Sequence, residues 1–284
     1  MSQTRALFRR YPHLCLWQRL FMASRLLILP LRALDAALPR AGRILDLGSG
    51  RGVLANWLSL AARGRVVVGV ELAGERVRTA ASSARSGAGV RFLHGDIRDL
   101  DGVPLPGPFD AVLLSEVLYL LAPRDQERVL RGARDLLALS GALVVLDYDR
   151  RPRWKFVVFF IETAALHGAL ALVRAVVRLI PHSWRRRISG KLTDAFGCRR
   201  PFPTLRPAAE YCRMLEQLDL VVRVEHPSGW VYPHVLLIAR PRPACTPSAA
   251  PAGPGRRQAG CNRSGDGGSP IAHWLGSAGR PSMG

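Results

Sequence analysis

Lysine is nearly absent from this sequence, and its five cysteines are scattered. Only Lys155 and Lys191 are lysines among the 41 basic side chains, so the formal net charge of +20 rests on arginine. The cysteines include no Cys-x-x-Cys pair and have no histidine at metal-ligand spacing, which argues against a disulfide framework and a metal site. We therefore predict reduced thiols in a cytoplasmic protein that binds no metal.

The chain also lacks a secretory signal peptide and an uninterrupted membrane span. The apolar run at 20–31 contains Arg25, and no small-residue cleavage site follows it. The run Phe156–Val173 approaches the roughly 20 residues that cross a bilayer, but Glu162 and His167 interrupt it. This pattern favours a helix at a membrane surface, or a soluble apolar cap, over a spanning helix.

The positive charge is concentrated outside the centre of the chain. Residues 1–40 carry seven basic side chains and one acidic side chain, and residues 151–206 carry twelve and two. Residues 41–150 are nearly neutral, with fourteen basic and thirteen acidic side chains. The two basic segments could contact nucleic acid or anionic lipid. Heavy use of Arg, Ala, Gly and Pro is also typical of a GC-rich genome, so part of the excess could reflect mutational bias.

The central part of the chain alternates between strand-like and helix-like segments. Near-continuous apolar runs separated by helices predict a parallel sheet that is covered on both faces. The predicted strands are Arg43–Leu47, Val66–Glu71, Val90–His94, Ala111–Leu114, Ala142–Asp147, Leu220–Glu225 and His234–Ala239. The predicted helices are Val53–Ala62, Glu75–Ala84, Arg124–Leu137 and Pro207–Gln217, the last with Thr204 as its cap.

An N-terminal helical arm is predicted over residues 1–40. It reads as one or two helices, and Pro30 should break or bend the region. Leu16, Leu20 and Leu27 recur at helical spacing, which predicts an apolar stripe.

The remainder of the chain divides into a domain and a tail. Residues 41–240 form the predicted α/β domain, in which residues 150–205 are a helical cap inserted after the fifth strand. Residues 241–284 are rich in Pro, Gly, Ser, Ala and Arg and show no periodicity, which predicts a disordered tail.

The segment "ILDLGSGRG" places three glycines at alternate positions directly after a predicted strand. Gly48, Gly50 and Gly52 would let the backbone approach a ligand closely, and Asp46 lies two residues before the first of them. The G-x-G-x-G spacing differs from the dinucleotide fingerprint, and the Gly-Lys-Ser/Thr of a phosphate-binding loop is absent. The alternative is a plain tight turn between strand and helix.

Polar residues follow the next strands at the same edge of the predicted sheet. Glu71 ends the second strand, where a carboxylate can accept hydrogen bonds from ribose hydroxyls. Asp96 and Ile97 follow the third strand, where an acid can accept from an exocyclic amine and an apolar side chain can cover a ring face. Ligands of open α/β sheets bind at the carboxyl ends of the strands, so these residues together predict one site. Taken singly, each could be an ordinary surface group.

These motifs together resemble those of the class I S-adenosylmethionine-dependent methyltransferases. "LDLGSGRG" is similar to the family's first motif, "FDAVLLSEVLYLL" to its fourth-strand motif and "LLALSGALVVLD" to the turn into strand five. The resemblance covers roughly residues 40–150, and residues 207–240 fit the family's closing hairpin. It implies an α/β fold with a Rossmann-like, seven-stranded, mostly parallel sheet and helices on both faces. It also implies S-adenosylmethionine as the cofactor, held by Asp46, Gly48, Ser49, Gly50, Gly52, Glu71, Leu72, Asp96, Ile97 and Ser115.

The resemblance implies in-line transfer of a methyl group to a nucleophile that the protein holds close to the cofactor. A general base could assist this step. The candidates are Tyr119 after the fourth strand, Asp147 and Asp149 at the end of the fifth, and His167 in the cap. Each has a structural alternative, because Tyr119 could pack, the aspartates could pair with nearby arginines, and His167 could be a buried helix residue.

The predicted acceptor is a hydrophobic small molecule or a lipid-like molecule, methylated at oxygen or, less favourably, at carbon or nitrogen. The apolar, arginine-flanked cap at 150–205 supports this prediction and would suit peripheral contact with the inner face of the membrane. Against an RNA acceptor, no Asn/Asp-Pro-Pro-Tyr run follows strand four, where relatives that methylate base amino groups carry one. A protein that binds the cofactor without catalysis, or that docks on a membrane, is a further alternative. The oligomeric state stays open.

Overall fold

Helices and strands alternate along most of the chain, as the sequence pattern predicts. The computed structural model describes residues 2–84, 89–149, 205–227 and 232–242. The helices are α1 (Ser2–Arg9), α2 (Leu16–Ile28), α3 (Leu31–Ala37), α4 (Val53–Ala61), α5 (Gly74–Ser83), α6 (Pro123–Asp135) and α7 (Ala208–Glu216). The strands are β1 (Ala41–Leu47), β2 (Gly64–Glu71), β3 (Val90–His94), β4 (Phe109–Ser115), β5 (Leu137–Tyr148), β6 (Leu220–Glu225) and β7 (His234–Pro241).

All seven strands form one sheet with the order β3-β2-β1-β4-β5-β7-β6. The five strands from β3 to β5 are parallel, whereas β7 runs antiparallel to both of its neighbours, β5 and β6. The chain builds β1, β2 and β3 outward on one side and then returns to add β4 and β5 on the other. A crevice therefore opens between β1 and β4 at the carboxyl edge of the sheet, which is where open α/β sheets bind ligands. This arrangement confirms the predicted Rossmann-like fold and its closing hairpin.

Helices cover both faces of the sheet. Successive side chains of a strand point to opposite sides, so each central strand contributes to the core on both faces. Side chains of one face pack against α6 and α7, and this cluster includes Leu45, Val112, Val145, Leu130 and Leu215. Side chains of the other face pack against α3 and α4, and this cluster includes Ile44, Leu113, Val144, Leu34 and Leu58. The near-continuous apolar runs of the central strands follow from this double burial.

The N-terminal arm folds as three helices, so the expectation of one or two was wrong. The break at Pro30 is confirmed, because α2 ends at Ile28 and α3 begins at Leu31. The arm packs on α4 through a small apolar cluster centred on Leu7, Tyr11 and Met22.

The leucine stripe of α2 is present, but it faces away from the protein. Leu16, Leu20 and Leu27 share one side of the helix and are 73%, 53% and 86% exposed. Met22 and Leu26 occupy the opposite side and pack toward α4. The helix thus carries apolar residues on two sides, and only the side with Met22 and Leu26 packs against the rest of the protein.

A buried arginine links the arm to the sheet. Nη1 of Arg65 in β2 lies 2.6 Å from Oδ1 of Asp35 in α3, and the side chain of Arg65 is fully buried. Its remaining donors bind backbone oxygens of Asp35, Pro39, Leu38 and Leu58. The ion pair and the hydrogen bonds offset the cost of burying the Arg65 charge. They also connect the end of α3 to β2.

Some predictions are corrected and others lie outside the described residues. Helix α7 begins after Pro207, which occupies its N-cap position, so Thr204 is not its cap. The tail beyond Arg242, and the cap at 150–205 except for Leu205, lie outside the described residues, and their domain bounds stay predictions. Within the part of the chain that the structure describes, no helix is long and apolar enough to cross a membrane. Cys15 and Cys212, which lie in this part, are both free thiols.

Candidate active site

The glycine loop after β1 has the backbone shape that its sequence predicts. Gly48, Gly50 and Gly52 have φ angles of 80°, 57° and 75°, a region that side chains of L-residues rarely adopt. A Cβ on Gly48 would lie 2.5 Å from a methyl carbon of Val117, so this glycine lets β1 and the β4 loop approach closely. A Cβ on Gly50 would meet no atom within 4 Å, so the loop is open on that side.

Glu71 at the end of β2 holds this loop in place. Its Oε2 accepts a hydrogen bond from the Gly50 N–H at 3.0 Å, and its Oε1 accepts one from the Ala73 N–H at 2.9 Å. Arg76 adds a longer ion-pair contact of 3.8 Å. A carboxylate can accept about four hydrogen bonds, so Glu71 retains capacity for ribose hydroxyls beside the open face of Gly50.

Two buried polar atoms beneath the loop have no partner among the described residues. They are Oδ2 of Asp46 and Oγ of Ser49. Burial, followed by the negative charge of Glu71, raises the pKa of Asp46 to about 7. Buried polar atoms normally find hydrogen bonds, so these two atoms fit a site for a cationic donor such as the amino group of S-adenosylmethionine.

The third part of the predicted cofactor site follows β2 and β3. The hydrogen bonds from Arg98 lower the pKa of Asp96, whose Oδ2 lies 2.5 Å from Nη2 of Arg98. Ile97 is buried in the core, whereas Leu72 is exposed beside the loop and offers apolar surface to a ring. The roles of Asp96, Ile97, Leu72 and Ser115 toward a cofactor stay predictions.

The N-terminal arm is linked to the glycine loop by hydrogen bonds. The Tyr11 hydroxyl donates a hydrogen bond to the Arg51 carbonyl at 2.9 Å and accepts one from Nδ2 of Asn56 at 2.9 Å. Nδ2 of Asn56 also donates to the Gly52 carbonyl at 2.9 Å. Arg10 completes the set by donating to Oδ1 of Asn56 at 2.6 Å. The loop is therefore fixed by residues of the arm as well as by the sheet.

A buried polar network lies beyond the carboxyl ends of β4 and β5. At its centre is Glu116, which has a φ angle of 54° and forms an ion pair with Arg25 of α2. Oε1 of Glu116 accepts a hydrogen bond from the Tyr148 hydroxyl at 2.7 Å and lies 2.8 Å from Nε2 of His234. The next residue, Val117, contacts Gly48, so the network adjoins the glycine loop.

The electrostatics of this network keep Glu116 ionised. Burial opposes the charge, but Arg25 and the hydrogen bonds from His234 and Tyr148 lower the pKa of Glu116 to about 2. Burial and the Glu116 charge raise the pKa of Tyr148 well above its usual range, so Tyr148 remains a neutral donor. For Arg25, the charge of Glu116 overcomes the opposing effect of burial and raises its pKa.

Aromatic rings surround the network. The rings of Tyr148 and His234 stack with centroids 5.0 Å apart, and the ring of Tyr119 meets Tyr148 edge-on at 5.2 Å. Tyr232 lies 5.9 Å from Tyr148 and 6.1 Å from His234. Buried polar atoms surrounded by aromatic rings, next to the glycine loop, are suited to an aromatic or apolar ligand.

Of the predicted general bases, Tyr119 and Asp147 lie close to each other, whereas Asp149 points elsewhere. Tyr119 lies against Tyr148, and its backbone N–H donates to Oδ2 of Asp147 at 3.2 Å. Burial, followed in the same direction by the Glu116 charge, raises the pKa of Asp147 to about 7. Asp149 instead faces His226, with 3.5 Å between Oδ2 and Nε2. His167 lies outside the described residues.

Sequence reasoning missed Arg25, Tyr148 and His234, and it did not assign a role to Glu116. Arg25 lies in α2, Glu116 directly after β4, Tyr148 in β5 and His234 in β7, so no local spacing connects them. The available signal was weak: Glu116 directly follows Ser115, and Arg25 and His234 stand in or beside otherwise apolar runs. Within the described ranges, no group of three or more His, Cys, Asp or Glu side chains is arranged to hold a metal ion.

Comparison with known proteins identifies the family. A family model described as a methyltransferase domain matches residues 44–141. The chain is 38% identical to a demethylmenaquinone methyltransferase of Thermus thermophilus over 177 residues, which cover 61% of this chain and 70% of that protein. It is also 38% identical to a ribosomal protein L11 methyltransferase of Thermus thermophilus over 114 residues, which cover 38% of this chain and 42% of that protein.

A solved structure shares the fold. CalO1, a methyltransferase in calicheamicin biosynthesis with S-adenosylhomocysteine bound, superposes with a TM-score of 0.51 at 19% identity. The superposition covers 80% of this chain and 55% of CalO1, so the chain spans about half the length of that protein. With the glycine loop, Glu71 and the unpartnered Asp46 in place, the chain belongs to the class I S-adenosylmethionine-dependent methyltransferases and uses S-adenosylmethionine as its cofactor.

Proposed function

We propose that this protein methylates a hydrophobic small molecule, at an oxygen atom. The observation that carries the proposal is the aromatic wall of Tyr119, Tyr148 and Tyr232 around buried Glu116, next to the glycine loop. The demethylmenaquinone methyltransferase of Thermus thermophilus, to which the chain is similar, is named for a quinone, and that name supports an apolar acceptor.

S-adenosylmethionine supplies a methyl group on a positively charged sulfur. Asp46 and Ser49 would hold its amino-acid part, Glu71 its ribose, and Leu72 with Asp96 its base. Stacking on the tyrosine rings would orient an apolar acceptor, and most of the acceleration would come from this positioning.

The test uses methyl-labelled S-adenosylmethionine and an extract of the host cell, separated after reaction into organic, aqueous and nucleic-acid fractions. We expect label in the organic fraction with the wild type and none with Asp46→Ala. Asp110→Asn is a matched control, because Asp110 lies at the opposite edge of the sheet and accepts from the Arg43 N–H at 2.7 Å. Label in the nucleic-acid fraction alone would support an RNA acceptor and reject the proposal, and the position of the label in the product identifies the methylated atom.

We further propose that α2 lets the protein reach its acceptor at an anionic membrane surface. Leu16, Leu20 and Leu27 form an exposed apolar face, and the basic side chains of Arg5, Arg9 and Arg32 in the same N-terminal arm are exposed. Apolar surface beside arginine suits the boundary between lipid headgroups and acyl chains.

Vesicle sedimentation tests this second proposal. We expect the protein to bind vesicles of phosphatidylglycerol and phosphatidylethanolamine, and to bind phosphatidylcholine vesicles weakly. Replacing Leu16, Leu20 and Leu27 by serine should abolish the binding. Leu139→Ser is the matched control, because Leu139 in β5 is 99% exposed and lies outside α2. Equal binding of the triple variant and the wild type would reject the role of α2.

A further inference from the structure

The imidazole of His234 has a buried nitrogen, Nδ1, that makes no hydrogen bond within the described residues. The side chains of His234 and Glu116 are both fully buried, and Nε2 of His234 contacts Oε1 of Glu116 at 2.8 Å. Nδ1 of the same ring has no hydrogen-bond partner among the described residues. Native proteins seldom leave a buried polar atom unpaired, so this nitrogen fits a ligand that brings its own donor.

The partner of Nε2 determines the state of the ring. The ion pair with Arg25 holds Glu116 as a carboxylate. An ionised carboxylate can only accept hydrogen bonds, and Glu116 already accepts one from the Tyr148 hydroxyl. Nε2 of His234 therefore carries the proton, and in the neutral ring Nδ1 keeps its lone pair.

The ring is also fixed in position. His234 is the first residue of β7 and pairs with Tyr148 across the antiparallel ladder. The Tyr148 ring stacks on the imidazole at 5.0 Å with an angle of 27° between the planes. The whole group lies at the sheet edge that carries the glycine loop, to which Val117 connects it through contact with Gly48.

We propose that His234 is the general base of the methyl transfer, with Glu116 as the positioning residue that sets its tautomer. The inference rests on the proposed function, because it requires an acceptor with a hydroxyl group. The acceptor oxygen forms a bond to the methyl carbon as the carbon–sulfur bond breaks and its electron pair stays on sulfur. The hydroxyl proton passes to Nδ1 of His234. Glu116 stabilises the resulting imidazolium, which later releases the proton to solvent.

Other titratable groups face this region and must be separated from His234. Arg25 comes from α2, Asp147 and Tyr148 from β5, and Tyr232 precedes β7. Asp147 is the strongest competitor, because burial raises its pKa to about 7. A pH profile of the wild type is therefore compared with profiles of both His234→Gln and Asp147→Asn.

The first measurement observes the ring directly. In ¹⁵N NMR spectra of the protein saturated with S-adenosylhomocysteine, we expect the ring proton of His234 on Nε2 and a lone pair on Nδ1. A protonated Nδ1 would overturn the inference, because such a ring cannot accept a proton. This readout does not depend on turnover.

The second measurement uses methyl-labelled S-adenosylmethionine with two acceptor probes, 1,4-dihydroxynaphthalene and the organic extract of the host. His234→Gln keeps an N–H donor for Glu116 but cannot act as a base. We expect its kcat to fall by a factor of about 100 or more, with Kd for S-adenosylhomocysteine within roughly threefold of the wild type. The acidic limb of the pH profile, where the rate rises as the base loses its proton, should disappear in His234→Gln and persist in Asp147→Asn. His226→Asn, a histidine paired with Asp149 at the surface, should keep wild-type kcat.

The outcomes separate the two proposals. If the wild type labels a probe and His234→Gln labels it at the same rate, His234 is not the base, while the proposed function stands. If the wild type labels neither probe, the proposed function fails, and the inference that rests on it fails with it.

Discussion

The buried carboxyl group of Asp46 should make cofactor binding depend on pH between 6 and 8. Burial, followed by the charge of Glu71, raises the pKa of Asp46 to about 7, so the free protein is largely protonated there at pH 6. A ligand with an ammonium group, such as S-adenosylhomocysteine, requires the carboxylate, so binding must release this proton. The dissociation constant at pH 6 should therefore be roughly tenfold larger than at pH 8, a difference of about 1.4 kcal/mol.

Isothermal titration calorimetry measures both the affinity and the proton release. Titrations with S-adenosylhomocysteine at pH 6, 7 and 8, each in two buffers of different ionisation enthalpy, give the number of protons released. We expect close to one proton at pH 6 and about half a proton at pH 7. Asp46→Asn should bind more weakly at every pH, without proton release. Asp110→Asn should behave like the wild type, because Asp110 lies at the opposite edge of the sheet.

Two results would refute this reasoning. One is an affinity of the wild type that stays constant between pH 6 and pH 8. The other is proton release that persists in Asp46→Asn, which would assign the linkage to another group of the site.

Three further predictions concern the framework of the site. Tyr11→Phe removes the hydrogen bond from the Tyr11 hydroxyl to the Arg51 carbonyl, so chemical denaturation should show a loss of about 1–3 kcal/mol and calorimetry a weaker affinity for S-adenosylhomocysteine. Tyr211→Phe, which removes a buried hydroxyl of α7, should leave that affinity unchanged. Asp35→Ala leaves the buried Arg65 charge without its carboxylate partner and should lower the free energy of unfolding by about 3–5 kcal/mol. The control Asp101→Ala, at an exposed position, should change the free energy of unfolding little. The pKa of Asp147 rises from 3.8 to about 7 on folding, so the free energy of unfolding should fall as pH rises through this range, and Asp147→Asn should flatten the slope.

The predicted helices and strands match the structure closely where one local pattern decides the outcome. β3 and β6 have the predicted bounds, and β1, β2 and β4 extend the predicted runs by two residues or fewer at each end. The inner strands β1, β2 and β4 are mostly apolar because the sheet is covered on both faces there, and that signal is continuous along the chain. The pattern of α2 was less informative, because it carries apolar residues on two sides and spacing alone does not select the buried one.

The sequence by itself determined the glycine-loop part of the candidate site. The turn of Gly48 to Gly52, the acid before it and Glu71 after the next strand lie on consecutive elements, so short-range spacing was enough to predict their convergence. Only the tertiary structure decided the proposed acceptor part, where Arg25, Glu116, Tyr148 and His234 meet from four separate segments. Such a network depends on strand order, and on β7 inserting between β5 and β6 in the antiparallel direction. These are properties of the packed sheet that no local sequence period encodes.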